Sequence, residues 1–208
     1  LCKVLIVNSG NANAFTGIQG INVINQYVKL ASKIFRCSFD QIFVSSTGVI
    51  GEQLDPEPIT RKLKLINTSN VKTLIDAAKS IMTTDTYPKI FSKSIKLNQK
   101  NINICGIAKG SGMIAPNMGT MLSYIFIDTY LSSNELKKLL KNHIEDSFNS
   151  ITVDSDMSTN DNVMIFATSL KTKNLSTNNK RTIQSISIGL KEVMTNLAKL
   201  IVADGEGI

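Results

Sequence analysis

The sequence is poor in the side chains on which several common kinds of active site depend. Its 208 residues include one histidine and three widely spaced cysteines. His143 stands among lysine and glutamate residues of a predicted helix, where a solvated surface position is favoured over a catalytic one, so a histidine-activated serine or cysteine is disfavoured. Cys2, Cys37 and Cys105 are too far apart to indicate a zinc knuckle or a dense disulfide scaffold. Their spacing fits a protein of a reducing compartment.

Membrane anchors and metal sites are disfavoured by further absences. No apolar run is long enough to cross a bilayer, and the first residues, LCKVLIVNSG, lack the zones of a signal peptide. No pair of His or Cys residues has metal-ligand spacing, and Asp154, Asp156 and Asp161 lack the fixed glycine and the terminal glutamate of a calcium loop. Because the sequence begins with Leu1 rather than Met and stops just after an acidic glycine turn, we expect a piece of a longer protein.

The positive charge of the chain leaves nucleic-acid binding as one alternative function. The formal net charge is +7, and 20 of the 23 basic residues are lysines. These lysines are spread along predicted helices rather than clustered with aromatic side chains, as a nucleic-acid surface would require. A solvated lysine surface is therefore the favoured interpretation.

Apolar residues recur at both strand and helix spacing, which predicts a mixed α/β (α+β) fold. Strands are predicted at 3–7, in QIFVSSTGVIGEQL, at 90–97, 102–108 and 121–128, and on both sides of DSDMSTND. Helices are predicted at 24–35 with Ile34 in the buried stripe, in PEPITRKLKLI, at 71–82, in LKKLLKNHIEDSF after the capping-box pair Ser132 and Glu135, and at 183–201. No proline-rich or serine-rich linker interrupts the pattern, so we expect one layered body.

Elimination of histidine and metal chemistry leaves a nucleophile that supplies its own base. A threonine does this once its α-amine is free, because that amine has an ordinary pKa of about 7.7–8.0. Thr120 stands between the glycine-rich GSGMIAPNMG and the strand at 121–128, and its hydroxyl could attack the carbonyl of Gly119 to release the amine. On the residues alone, an ordinary strand threonine is the favoured interpretation. The loop GIAKGSGM fits neither the Walker nor the dinucleotide pattern.

Six ordered motifs are spread over the whole chain: NSGNANAFTG, SSTGVIGEQL, TTDTYPK, GIAKGSGMIAPNMGTML, FNSITVDSDMSTND and DGEG. Together they resemble the ornithine acetyltransferases of arginine biosynthesis, the ArgJ family. The chain departs from the family pattern at Gly119, where alanine is usual, and at Ser155 and Met157, where glycine and threonine are usual. The resemblance covers the middle part of a family chain.

The resemblance implies a layered α-β-β-α sandwich, an architecture of the DmpA/ArgJ type. It also implies self-cleavage into an α segment, residues 1–119 here, and a β segment, residues 120–208, which stay together as a heterotetramer of two α and two β segments or as a larger assembly. Acetyl would pass from N2-acetylornithine to a threonine and then to glutamate in a ping-pong reaction. No cofactor is implied, and acetyl-CoA is left open as a further substrate. The expected compartment is the cytoplasm, or the mitochondrial matrix in a eukaryote.

The catalytic residues are implied by the same resemblance. Thr120 corresponds to the nucleophile, and the bond between Gly119 and Thr120 to the cleavage site. Thr47 and Gly48 resemble the pair that stabilises the oxyanion through a hydroxyl and a backbone N–H. Asn117 could help to bind the oxyanion during self-cleavage, although turn formation explains it equally well.

The substrate-binding residues come from three motifs. Lys109 resembles the family's substrate-binding lysine, which would hold the α-carboxylate common to both amino-acid substrates, although by itself a lysine beside a glycine would be interpreted as solvated. Glu206 resembles the acidic residue that would pair with a substrate ammonium group. Thr83 resembles a substrate-binding threonine, with Thr84 and Thr86 left as alternatives.

Several polar residues of the motifs are expected to be structural. Asn8, Asn11 and Asn13 are predicted to organise their loop through side-chain to backbone hydrogen bonds, and the same role is expected for Asn160 and Asp161. Two other functions stay open beside acetyl transfer. One is a self-cleaving aminopeptidase or amidohydrolase, in which water replaces glutamate as the acceptor, and the other is the lysine-rich nucleic-acid binder.

Overall fold

The computed structural model describes residues 1–66, 72–97, 100–114, 121–156, 158–169 and 180–207. The chain forms two compact units, Leu1–Thr83 and Thr84–Ile208. The sequence predicts one body, and this prediction is wrong because each unit has a hydrophobic core of its own. The predicted mixed α+β fold class, with helices layered on sheets, is confirmed.

The first unit contains a pair of parallel strands joined by a helix. Strand β1 (Val4–Asn11) leads into helix α1 (Gly17–Phe35), and β2 (Ile42–Val49) returns alongside β1. Parallel neighbours require such a crossover. Helices α2 (Glu57–Leu65) and α3 (Leu74–Ser80) follow, and Thr73 and Asp76 form a reciprocal capping box at the start of α3.

The core of the first unit forms between α1 and the strands. Helical spacing brings Tyr27, Val28 and Ala31 onto the buried face of α1, where they pack with Ile42 and Leu63. Two sequence predictions are corrected here. Ile34 is 37% exposed rather than buried, and β1 extends through the first part of the predicted loop because Asn8–Asn11 continue the ladder with β2.

The second unit is built on a four-stranded sheet. Its strands are β3 (Lys89–Leu97), β4 (Lys100–Lys109), β5 (Leu122–Ile127) and β6 (Asn162–Ala167), and they lie side by side in that order. The first three are antiparallel neighbours, whereas β5 and β6 run parallel. Helix α4 (Ser133–His143) lies in the connection between β5 and β6, as a parallel pair requires.

Helix α5 (Lys180–Ala203) packs its apolar stripe on this sheet. The buried stripe contains Ile186, Leu190, Val193, Met194, Leu197 and Ile201, as helical spacing predicts. Two glycines permit the close approach: a Cβ on Gly106 would lie 2.7 Å from Leu197 Cδ1, and one on Gly189 would lie 2.5 Å from Ile95 Cδ1. Each buried aliphatic side chain of this kind contributes about 1.5–3 kcal/mol.

Two predicted elements of the second unit differ from the structure. Only the strand after DSDMSTND is present, as β6, because residues 152–153 hydrogen bond to the loop residue Ile114 rather than to a strand. Helix α4 ends at His143, so it is shorter than LKKLLKNHIEDSF suggests. Beyond its last turn, the Ser147 hydroxyl donates to the carbonyl of His143. None of the helices in the described ranges combines the length and hydropathy that a membrane span requires.

Candidate active site

Lys109 ends strand β4 with its side chain inside the protein. It is 2% exposed, so the solvated interpretation is wrong. Burial lowers the pKa of Lys109 below its usual range, although the negative charges of Asp85, Asp161 and Glu206 act in the opposite direction. A buried ammonium group near several carboxylates is suited to holding the carboxylate of a small substrate.

The turn that follows Lys109 is tied to the glycine-rich turn after helix α5. The Glu206 N–H donates to the carbonyl of Ser111 at 2.8 Å. A Cβ on Gly112 would lie 2.8 Å from Glu206 Oε2, so glycine leaves room for that carboxylate. The structure therefore brings together the two predicted substrate-binding groups, Lys109 and Glu206, within the second unit.

Asp161 adds a third ionisable group beside Lys109. It immediately precedes β6, and its Oδ1 accepts a hydrogen bond from the Met121 N–H at 2.6 Å. Burial raises the pKa of Asp161 to about 7, although the Met121 N–H and Lys109 act to lower it. Its Oδ2 is buried and makes no hydrogen bond with any residue that the structure describes. The predicted side-chain to backbone bond is confirmed, whereas no local pattern in the sequence indicates the raised pKa.

A buried ionic cluster that the sequence analysis did not predict contacts the turn that follows Lys109. Lys89 is fully buried, and its Nζ lies 2.7 Å from Asp85 Oδ1 and 2.5 Å from Asp204 Oδ2. Asp85 Oδ1 also accepts the Gly110 N–H at 2.7 Å. Burial raises the pKa of Asp204, but the hydrogen bonds from Lys89 and Thr86 outweigh it and lower the pKa overall. The cluster connects β3, the turn after Lys109 and the end of α5.

The three threonines of TTDT have different surroundings. Thr86 donates its hydroxyl and its N–H to Asp204, so its polar groups are occupied by the buried cluster. Thr84 Oγ1 is 2.7 Å from Ser111 Oγ. Thr83 is exposed and ends the first unit. These contacts disfavour Thr86 as the substrate-binding threonine, and the assignment of Thr83 stays a prediction.

Thr47 and Gly48 lie near the end of β2 in the first unit. Thr47 is 1% exposed. Gly48 has a φ of +125°, and a Cβ there would lie 2.3 Å from the carbonyl carbon of Gly10 on β1. Glycine is therefore required by backbone packing, whatever its chemistry, and the oxyanion role of both residues stays a prediction.

Two of the three asparagines at the end of β1 and just after it make the side-chain bonds that the sequence predicts. Asn8 Nδ2 donates to the carbonyl of Asn11 at 2.7 Å, and Asn13 Nδ2 donates to the carbonyl of Gly20 at 3.0 Å. These bonds confirm the prediction for Asn8 and Asn13, whereas Asn11 Oδ1 is buried and makes no hydrogen bond with any described residue.

Three residues of the predicted self-cleavage step lie outside the described residues. They are Asn117, Gly119 and Thr120. The described chain resumes at Met121, whose N–H is held by Asp161. His143 is half-buried between α4 and α5, where its Nε2 lies 2.7 Å from Ser187 Oγ. It is therefore less solvated than predicted.

Comparison with protein families identifies relatives over almost the entire chain. The model of the ArgJ family matches residues 2–208. The arginine biosynthesis bifunctional protein ArgJ of Bradyrhizobium diazoefficiens is 42% identical over 210 residues, which cover 99% of this chain and 51% of that protein. The protein of the same name from Gluconobacter oxydans is 42% identical over 207 residues, covering 99% of this chain and 49% of its own length. The chain thus spans about half the length of the curated relatives it matches.

A solved structure supports the same relationship. The crystal structure of the arginine biosynthesis bifunctional protein argJ from Bacillus halodurans is similar with a TM-score of 0.50 and 34% sequence identity. The similarity covers 56% of this chain and 61% of that chain. Sequence and structure therefore indicate the same family.

Proposed function

Because the chain belongs to the ArgJ family, we propose that the protein is a glutamate N-acetyltransferase of arginine biosynthesis. It transfers acetyl from N2-acetylornithine to glutamate without a cofactor, and acetyl-CoA is a further candidate donor. The observation that carries the proposal is the register of β4 and β5, in which Lys109 lies opposite Leu122, two residues after Thr120. A buried cation therefore lies beside the strand that begins next to the proposed nucleophile.

Self-cleavage is the first step of the proposed mechanism. The Thr120 hydroxyl loses its proton and bonds to the carbonyl carbon of Gly119, the C–N bond between the two residues breaks, and the nitrogen takes up a proton. Water then hydrolyses the ester, which yields the Gly119 carboxylate and restores the hydroxyl. The products are an α segment, residues 1–119, and a β segment, residues 120–208, that stay together in a heterotetramer of two α and two β segments.

The amine freed by cleavage is the base of the transfer reaction. With an ordinary pKa of about 7.7–8.0, it can take the proton of the Thr120 hydroxyl near neutral pH. The oxygen attacks the acetyl carbon, the amide C–N bond breaks, and ornithine leaves with the proton. The glutamate amine then attacks the acetyl ester, and the hydroxyl is restored. Thr47 and Gly48 stabilise the oxyanion in both halves of the reaction.

Lys109 and Glu206 bind the two ends of the amino-acid substrates in this mechanism. Lys109 pairs with the α-carboxylate that ornithine and glutamate share, and Glu206 pairs with an ammonium group. Burial strengthens the pairing of Lys109 because fewer water molecules compete for its charge. Thr83 is assigned a substrate contact on the resemblance alone. The cytoplasm is the proposed compartment.

The experiment that tests this function uses the full-length protein encoded by the gene. Intact-mass measurement is expected to give two products that meet at Gly119 and Thr120, and the purified protein is expected to exchange acetyl between N2-acetylornithine and glutamate. Thr120→Ala should lose both properties, whereas Thr120→Ser should keep part of each. Release of free acetate without exchange to glutamate would instead identify an amidohydrolase, and an uncut but active wild-type enzyme would refute the mechanism.

A further inference from the structure

The carboxylate of Glu206 lies directly against Gly112, the third residue after Lys109. A Cβ at position 112 would lie 2.8 Å from Glu206 Oε2, 2.9 Å from its Cδ and 3.1 Å from its Oε1. Ordinary van der Waals contact begins at about 3.4 Å. All three carboxylate atoms therefore occupy space that a side chain at position 112 would need, and only glycine lets the Glu206 carboxylate lie there.

The backbone at position 112 does not itself require glycine. Gly110 has a φ of +148°, a value that other residues rarely adopt, whereas Gly112 is not among the described glycines with a positive φ. Core packing explains other glycines, such as Gly106, where a Cβ would lie 2.7 Å from Leu197 Cδ1. At Gly112 the three nearest atoms instead belong to the end of one flexible side chain, that of Glu206. Position 112 is thus restricted by a single carboxylate.

The main chain of Glu206 is held by the same turn, while its side chain is exposed. The Glu206 N–H donates to the carbonyl of Ser111 at 2.8 Å. Ser111 is itself buried, and its hydroxyl oxygen lies 2.7 Å from Thr84 Oγ1. An exposed glutamate on a fixed main chain has several rotamers available. The room at Gly112 therefore decides whether the carboxylate can lie on the turn that follows Lys109.

Glu206 is close enough to Lys109 for their charges to interact. Burial lowers the pKa of Lys109, and the charges of Asp85, Asp161 and Glu206 act to raise it. Lys109 and Glu206 thus present opposite charges to the two ends of a small molecule, an arrangement that favours one class of ligand over others. Moving the Glu206 carboxylate would change the distance between these two charges while Lys109 stays in place.

The two substrates of the proposed reaction differ in what they offer to Glu206. The α-nitrogen of N2-acetylornithine is an amide nitrogen, so its δ-ammonium is the one positive group of the acetyl donor. Glutamate has a second carboxylate at the corresponding end, and its amine must lose its proton before it attacks the acetyl ester. Pairing of Glu206 with an ammonium group therefore favours the donor and not the acceptor.

We propose that Gly112 is a specificity-determining residue, whose missing side chain lets Glu206 pair with the δ-ammonium group of the acetyl donor. This inference rests on the proposed function, which names N2-acetylornithine as that donor. A charge-assisted hydrogen bond of this kind needs a distance of about 2.7–2.9 Å between nitrogen and oxygen. A side chain at position 112 would displace the carboxylate and break the bond, and would thus select against donors that carry a cation.

Gly112→Ala isolates this contact because the atoms that must move form the exposed end of a flexible side chain. Alanine also restricts the unfolded chain more than glycine does, so the Tm should stay the same or rise. Gly189→Ala is the matched control. A Cβ at position 189 would lie 2.5 Å from Ile95 Cδ1, which is likewise the end of a side chain but belongs to the contact between α5 and β3.

The test measures steady-state acetyl exchange by the full-length protein, because in a ping-pong reaction kcat/KM for each substrate reports its own half of the reaction. Gly112→Ala should lower kcat/KM for N2-acetylornithine about tenfold and leave that for glutamate within about twofold. With N2-acetylnorvaline, which lacks the δ-ammonium group, it should have no effect. Gly189→Ala should keep the wild-type ratio of the two kcat/KM values. In a Glu206→Gln background Gly112→Ala should lose its effect, since both changes remove one interaction.

The outcomes separate this inference from the proposed function. An unchanged kcat/KM for N2-acetylornithine, or an equal fall for both substrates, would overturn the role of Gly112 while leaving acetyl exchange by the wild type intact. A wild type without acetyl exchange would refute the proposed function itself. Thermal unfolding checks the folding of each variant. If Gly112→Ala fails to fold, Glu206→Asp withdraws the carboxylate from Gly112 by one methylene group, and the same selective loss for the donor is expected of it.

Discussion

Two buried lysines on neighbouring strands of the second unit have different electrostatic surroundings. Lys89 begins β3 and lies between Asp85 and Asp204, at 2.7 Å and 2.5 Å from their carboxylate oxygens. Lys109 ends β4, is almost as deeply buried, and has a pKa that burial lowers. Both lysines lie at the same end of the antiparallel pair β3 and β4, since Lys89 is opposite Ala108.

The comparison contrasts a lysine whose charge is balanced by two close carboxylates with the lysine that we propose binds substrate. Two close carboxylates compensate the charge of Lys89, which is the usual condition for burying an ion pair. At Lys109 the cost of burial outweighs the attraction of the surrounding carboxylates, as the lowered pKa shows. A substrate carboxylate would remove part of that cost. Buried ionisable groups with a shifted pKa are typical of functional sites.

The surroundings of Lys89 and Lys109 are connected through Asp85. Its Oδ1 accepts both from Lys89 Nζ and from the N–H of Gly110, the residue after Lys109. Through Asp85, Lys89 therefore helps to place the turn that follows Lys109. Changes at Lys89 should act mainly on stability, whereas changes at Lys109 should act mainly on the reaction.

Lys89→Met should change the protein more than any other substitution considered. The substitution leaves two buried carboxylates without their cation, so we expect a loss of about 3–5 kcal/mol in the free energy of unfolding. Urea unfolding of the full-length protein measures it. Lys93→Met is the matched control, because Lys93 lies on the same strand and pairs with Glu192 at 2.8 Å while being half-exposed. The control should lose less than about 1 kcal/mol, and equal losses would contradict the comparison.

The next effect is that of Lys109→Met on catalysis. Loss of the charged hydrogen bond to substrate should lower kcat/KM for both amino-acid substrates by about 1.5–3 kcal/mol, or roughly tenfold to 150-fold. The free energy of unfolding should stay the same or increase, because a buried ammonium group is costly. Steady-state kinetics and urea unfolding of the same preparations test both statements. A variant that loses stability but keeps its kinetics would show that Lys109 resembles Lys89 after all.

The sequence predicts the elements of the fold wherever local spacing decides them. The stripe from Ile186 to Ile201 is buried as predicted, because one apolar face is enough to attach a long helix to a sheet. The capping box of Ser132 and Glu135 is present with bonds in both directions. These features depend on residues three or four positions apart, which a single sequence displays directly.

The ionic cluster could not be predicted because one of its carboxylates, that of Asp204, comes from a distant part of the chain. Lys89 and Asp204 are 115 residues apart. Asp85 is only four residues before Lys89, but a lysine and an aspartate so close in sequence are normally interpreted as a solvated pair. The position of Asp161 beside Met121 likewise depends on the register of β5 and β6. A binding role for Lys109 is implied only by the family resemblance, and only the structure shows that its side chain is buried. Electrostatic surroundings thus follow from tertiary contacts that local patterns do not specify.

A third substitution, Asp161→Asn, removes a charge beside Lys109, and its effect should be the weakest of the three. Asp161 has a pKa of about 7 in the folded protein and about 3.9 in an unfolded chain. Between these values the folded state binds more protons, so the free energy of unfolding contributed by Asp161 is present at low pH and is lost as pH rises through about 7.

Asp161→Asn, made on the uncut Thr120→Ala background, should therefore gain stability relative to its parent as pH increases. We expect the difference in Tm to grow between about pH 4 and pH 7, to level off near pH 8, and to reach on the order of 2–5 °C. Thermal unfolding at several pH values measures it, and parallel curves would contradict the raised pKa.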